Sequence, residues 1–216
     1  MKNINLIRKK EADRYFVRNQ GHLSVKDEKI FNLIKINSIK ANNILEIGCS
    51  NGNRLNQYSK LCKSKKNYGV DLSKKAILDG KRRYKDLKLL NISSIEIDKI
   101  KVNFDLIICG FFLYYLDREL IFKQFDLIHD KLSKNGLLLI WDWDPLFKHS
   151  NKDFNSKKLR TFKMNYDNFL IESGLFEIVY KQKYISSKRY KRFKSSSASL
   201  TLFKKIEFKK EYPENI

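Results

Sequence analysis

Between Asn43 and Trp143 the chain carries five short apolar runs: "NILEIG" (43–48), "NYGVDL" (67–72), "LKLLNI" (87–92), "FDLIICG" (104–110) and "GLLLIWDW" (136–143). A longer polar or amphipathic stretch separates each run from the next. Continuous apolar runs mark strands buried on both faces, and strands joined by helix-length crossovers pair in parallel. The spacing predicts helices near 52–62, 73–85, 117–133 and 164–173, with Asn135 and Gly136 as helix-stop residues before the fifth strand. The tail changes character, because "FEIVYKQKYI" (176–185) and "SASLTLFKKIEF" (197–208) alternate and are joined by a basic connection. That pattern predicts an antiparallel pair on the edge of the parallel sheet. Residues 9–40 read as two helices leading into the first strand. The expectation is an α/β fold with a seven-stranded, mostly parallel sheet and helices on both faces.

At 216 residues one domain with a sizeable core is expected. It divides into a helical N-terminal extension (1–40), a central half (41–145) and a C-terminal segment with the antiparallel strands (146–216). The longest apolar runs are too short to span a bilayer, and the first residues lack the apolar stretch of a signal peptide, so no membrane insertion is expected. Cys49, Cys62 and Cys109 form no paired framework, which suits a reducing cytoplasm. The three histidines are equally scattered, so no metal site is expected. The formal charge of +21 invites a nucleic-acid reading. Lys outnumbers Arg more than three to one, however, as codon bias in an A+T-rich genome would produce on any surface. Charge alone therefore selects no partner.

The chemistry concentrates at "LEIGCSNGNRL" (45–55). A strand, a glycine turn and a helix in immediate succession let backbone approach a ligand while the helix start presents free N–H groups. The dinucleotide fingerprint would need glycines at 48, 50 and 53, whereas 50 is serine and 53 is asparagine. Asp71 follows at the end of the second run, nineteen residues past Gly52, where a carboxylate can accept protons from two ribose hydroxyls.

The register Glu46, Gly48, Ser50, Gly52 resembles the first motif of class I S-adenosylmethionine-dependent methyltransferases. "YGVDLS", with Asp71 and Leu72, resembles their second motif. "FDLIICG", ending at Gly110, resembles the fourth strand, and "IHDKLSKNGLLLIWD" the helix, turn and fifth strand that follow. The resemblance implies a Rossmann-like methyltransferase fold, S-adenosylmethionine as cofactor, and Glu46, Gly48, Ser50, Gly52, Asp71, Leu72 and Gly110 at the cofactor. Two positions depart from the pattern. Ser50 replaces the middle glycine, and "LLNISSIEI" lacks the acidic residue that meets the adenine amino group, which leaves Ser93 or backbone for that task.

Beyond the fifth strand, "WDWDPLFKH" supplies Asp142, Asp144 and His149 as candidate acid–base residues, His149 having the intrinsic pKa of a base. Tyr114, Tyr115, Lys163 and Tyr166 are candidates for the acceptor side. No "NPPY"-like or "DPPY"-like motif follows the fourth strand, which counts against methylation of exocyclic base amines, and no Pro-Cys nucleophile does, which counts against C5-pyrimidine chemistry. The set "GFFLYYLDR", "WDWDP" and "FKMNY" resembles small bacterial methyltransferases of sugar and cell-surface polysaccharide biosynthesis. The leading expectation is methyl transfer to a small-molecule or carbohydrate acceptor. The alternatives are an RNA methyltransferase gripping phosphates with residues 181–194, and a methyltransferase-like binding protein without turnover. The sequence selects neither the methylated atom nor an oligomeric state.

Overall fold

The computed structural model describes residues 2–20, 28–185 and 197–207. Seven strands form one sheet in the order β3-β2-β1-β4-β5-β9-β8. The parallel part consists of β1 (Asn43–Ile47), β2 (Lys66–Val70), β3 (Leu87–Leu90), β4 (Phe104–Gly110) and β5 (Leu132–Trp143). The tail adds β8 (Phe176–Ile185) and β9 (Ser197–Lys205), with β9 antiparallel to β5 and β8 antiparallel to β9. The parallel core and antiparallel edge agree with the expectation from the apolar runs.

Both sheet faces are covered, which is why the runs are continuous. In β4, Ile107 and Cys109 enter one apolar layer while Leu106 and Ile108 enter the other. The first layer packs against α6 (Ile121–Lys131) and α7 (Tyr166–Glu172) through Phe125, Ile128 and Leu170. The second packs against α3 (Glu28–Ile36), α4 (Asn53–Cys62) and α5 (Lys74–Arg83) through Ile30, Leu55 and Ile77. Among the described residues no helix is long and apolar enough to cross a membrane.

The N-terminal extension is a helical rod, α1 (Lys2–Leu6), a π-helical turn (Ile7–Glu11) and α2 (Ala12–Asn19), followed by α3. The Asp117 carboxylate accepts from the otherwise unpaired backbone N–H groups of Asn3 and Ile4 at 3.1 and 3.2 Å. Farther along, Asp13 accepts from the Ser73 hydroxyl at 2.7 Å and from the Lys75 N–H at 3.0 Å, while Ser73 caps α5 by accepting from Ala76. The rod is thereby pinned at both ends across the carboxyl edge of the sheet.

Two local features depart from the expectation. Helix α6 stops at Lys131, and Asn135 and Gly136 lie inside β5, where pairing jumps from Phe104–Leu132 to Leu106–Leu137. Asn135 takes φ +57°, and a Cβ on Gly136 would fall 2.8 Å from the Ser133 carbonyl, so these turn residues build an excursion in the strand and do not end the helix. A second sheet pairs β6 (His149–Lys152) with β7 (Arg160–Lys163), which no apolar alternation in "HSNK" signals. The basic connection 186–194 lies outside the described residues.

Candidate active site

The turn after β1 is built backbone first. Gly48 and Cys49 donate to the Val70 carbonyl at 2.9 and 3.1 Å, and Gly52 donates to Cys49 O at 2.9 Å. Gly48 (φ +74°), Ser50 (φ +52°) and Gly52 (φ +77°) all take the left-handed conformation that glycine adopts freely and other residues reach at a cost. Ser50 therefore keeps the geometry of a third glycine. Gly52 is the cap position of α4, and a Cβ there would press on Leu87 and Leu89 at 3.0 Å. Asn51 braces the turn by donating to Asp79 of α5 at 2.9 Å and accepting from Asn53 N.

Asp71 stands just past β2 and closes on this turn. Its Oδ2 accepts from Ser50 N at 2.8 Å and its Oδ1 from Ser73 N at 2.7 Å. Burial pushes its carboxyl above the ordinary range, opposed by those two N–H donors and by Arg54. Glu46 is buried within β1, where Arg54 of α4 reaches it at 3.2 Å. The same guanidinium faces Gly110 at the end of β4, 3.4 Å from where a Cβ would be.

A cavity of about 700 Å³ opens over these strand ends, within the range typical of small-molecule sites. Gly48, Ser50, Asp71, Leu72, Ser93 and Gly110 line one part of it. The rod roofs it with Ile7, Glu11, Tyr15 and Phe16. The remaining wall is aromatic. Phe111 sits 5.6 Å from Trp141 and 5.7 Å from Trp143 between ring centroids, Tyr114 adds an edge contact with both Phe111 and Trp143, and Tyr184 stacks on Trp141 at 5.8 Å. Lys29 places its ammonium 4.1 Å from the Tyr184 ring centre. Phe111 holds φ +50°, a costly conformation for a bulky residue, secured by its N–H donating to Trp141 O at 2.7 Å.

The other sequence candidates fall into distinct places. Tyr114 and Tyr115 line the cavity, and burial raises both phenol pKa values. Ser93 lines it too, but its hydroxyl oxygen caps the short 3₁₀ helix 94–99 in a box with Glu96. Asp142 is buried beneath the 113–115 turn, not on the cavity wall, and accepts from Tyr114 N at 3.3 Å and Trp143 N at 2.7 Å. Burial pushes its carboxyl up to about 7. Asp144 is buried away from the cavity, held by Asn165 at 2.8 Å and Lys181 at 3.2 Å. His149 lies outside the cavity on β6 with Nδ1 3.0 Å from Phe147 O. Lys163 rests over the outer face of the Trp143 ring, 3.8 Å from its centre, and burial lowers its pKa. Tyr166 packs in the core with its hydroxyl 3.3 Å from Arg118. The three cysteines are buried.

Sequence reasoning missed Arg54, Asn51, Tyr15, Lys29 and, apart from Tyr114, the aromatic wall. "SSIE" at 93–96 was a legible capping box. The rest of the wall had no sequence signal, since Phe111 follows β4, Trp141 and Trp143 lie on β5 and Tyr184 on β8.

The arrangement suits S-adenosylmethionine. The left-handed turn brings backbone to the cavity wall, the Ser50 hydroxyl there is buried without a hydrogen-bond partner, and each Asp71 oxygen keeps a lone pair beyond the one its N–H donor uses. Residues 45–138 match the family described as a methyltransferase domain. An uncharacterised protein of Rickettsia prowazekii (strain Madrid E) is 30% identical over 102 residues, 45% of this chain and 41% of that protein. The chain spans less than half the length of the curated relatives it matches. Among solved structures, the N-methyltransferase NodS from Bradyrhizobium japonicum WM9 in complex with S-adenosyl-L-homocysteine superposes with a TM-score of 0.63. It is 18% identical, covering 91% of this chain and 99% of that one. The 1,6-didemethyltoxoflavin-N1-methyltransferase of Burkholderia thailandensis superposes with a TM-score of 0.62 at 13% identity, covering 81% of this chain and 75% of that one. Residues 45–138 thus match a methyltransferase domain, within a chain that has the Rossmann-like fold of those methyltransferase structures.

Proposed function

We propose that the protein transfers a methyl group from S-adenosylmethionine to a small-molecule or sugar acceptor. The carrying observation is one cavity that runs from the Asp71 carboxylate to the aromatic wall beneath a pinned helical roof. When bound, S-adenosylmethionine supplies a sulfonium methyl open to in-line displacement. Asp71 would accept from the ribose hydroxyls, the 48–52 turn would hold the methionine portion by its backbone, and Leu72 and Ser93 would flank the adenine. Phe111, Tyr114, Trp141 and Trp143 would seat a ring by face and edge contacts and exclude water, so that positioning supplies most of the rate.

Among the described residues the cavity wall carries Glu11, Tyr15, Tyr114 and Tyr115, while His129 and His149 lie outside it. That inventory suits a nucleophile needing little base assistance, such as an amine or ring nitrogen. Two of the structural neighbours carry N-methyltransferase in their names, which supports the same reading. The roof favours a compact acceptor over a polymer.

Calorimetric titration with S-adenosylhomocysteine tests the donor half: one site is expected, and no binding would refute the proposal. Transfer of labelled methyl to a panel of amines, amino sugars and phenols then tests the acceptor, with amines expected to react first.

A further inference from the structure

We propose that the β6–β7 hairpin is a docking element for an anionic membrane surface, independent of the methyltransferase reading. Residues 146–163 leave the edge of the fold and return to it. On the return strand Thr161 is buried, so β7 belongs to the body of the protein. On the outgoing strand Ser150, Asn151 and Lys152 are all exposed, so β6 presents both of its faces outward. At the two ends of β6 sit three large apolar side chains with no burial to explain them: Leu146 (81% exposed), Phe147 (63%) and Phe154 (95%). Scattered single apolar residues are ordinary on a surface, but three such side chains on one hairpin call for a partner.

Charge decides which partner. Lys148, Lys152, Lys157, Lys158 and Arg160 lie in the same segment, against the single carboxylate Asp153. Asp153 is itself engaged, accepting from the Tyr115 hydroxyl at 2.8 Å and from the N–H groups of Asn155 and Ser156 at 2.9 Å. A protein interface core is depleted in lysine. A lipid headgroup layer takes both kinds of side chain at once, the apolar tips entering the acyl boundary and the lysines meeting anionic headgroups. The contact is peripheral and needs no spanning segment. The Tyr115–Asp153 bond and Leu159, which lines the cavity, place the hairpin beside the cavity.

The test is co-sedimentation of the full chain with vesicles of phosphatidylcholine alone and of phosphatidylcholine with phosphatidylglycerol. Retention on the anionic vesicles only, weakened by salt, is expected. Replacing Leu146, Phe147 and Phe154 together by serine should weaken it at least about tenfold, and so should Lys148→Gln with Lys152→Gln, Lys157→Gln and Lys158→Gln. Phe154→Ser alone, a side chain with almost no packing to lose, should weaken it about threefold or more. Each variant should keep wild-type S-adenosylhomocysteine binding. Absence of retention by the wild type overturns the proposal, leaving a protein or nucleic-acid partner for the hairpin. Wild-type retention of the serine variants also overturns it, because it would assign the binding to the +21 charge at large.

Discussion

The donor-site reading rests most heavily on Asp71, and its removal gives the sharpest prediction. Both carboxylate oxygens already accept a backbone N–H, from Ser50 at 2.8 Å and Ser73 at 2.7 Å, which fixes the carboxylate plane. Each oxygen retains one lone pair for a ribose hydroxyl. Hydrogen bonds to a charged group contribute about 1.5–3 kcal/mol each, so two contribute about 3–6 kcal/mol. Asp71→Ala should therefore weaken S-adenosylhomocysteine binding by about 10²–10⁴-fold. Asp71→Asn should fail almost as badly, because in either orientation its amide nitrogen confronts a backbone N–H. Both tryptophans of the chain, Trp141 and Trp143, line the cavity, so intrinsic fluorescence follows binding without a label. The raised pKa of Asp71 adds a pH signature: affinity should fall on acidification at a pH above the ordinary carboxylate range, as the carboxylate takes up its proton. Thermal melting must show that the variant is folded, since Ser50 and Ser73 lose their acceptor. A folded Asp71→Ala variant that binds within about threefold of wild type would refute the ribose assignment.

Further outcomes follow from single residues. Asp142 has a folded pKa of about 7 against an ordinary 3.8, so the folded state holds its proton more tightly than the unfolded chain. Its contribution is present below about pH 4 and is lost as pH rises toward 7, at most about 4 kcal/mol, and Asp142→Asn should flatten that part of a melting-temperature profile. Gly80→Ala would set a Cβ 2.2 Å from the Asn51 carbonyl, pushing α5 from the glycine turn. A loss of about 3 kcal/mol in denaturant titration is expected, with weaker donor binding. Ser50→Gly relieves a left-handed serine and should leave donor affinity within about threefold while holding or raising stability by up to about 1 kcal/mol. His149→Ala should leave donor affinity and the pH–rate profile unchanged in a methyl-transfer assay, since its ring lies outside the cavity. A shifted profile would restore His149 as the base.

The legible part of the site was the part made of contiguous residues. The 48–52 turn and Asp71 were recognisable because each follows an apolar run directly, and their local backbone needs restrict the residue types. Asp142, Asp144 and His149 shared a sequence neighbourhood, yet the structure sends them to three surroundings: beneath a turn, against Lys181, and onto an outer strand. Asp142 is inside β5, Asp144 lies past its end and His149 starts a separate strand, so proximity in sequence does not imply a shared site.

Sequence by itself determined the strands, because the continuous apolar runs of β1, β2, β4 and β5 have no stable place except between two helical layers. Its alternation also marked the antiparallel tail, whereas the structure buries Ser199–Phe203 of β9 on both faces because β9 lies between β5 and β8. Tertiary structure decided the strand order, the roof and the aromatic wall. Tyr15, Lys29, Phe111, Trp141 and Tyr184 meet only after five separate elements have docked. No local rule ties them together. Their assembly depends on long-range packing and on the pins at Asn3 and Asp13, whose partners lie 114 and 60 residues away in the chain.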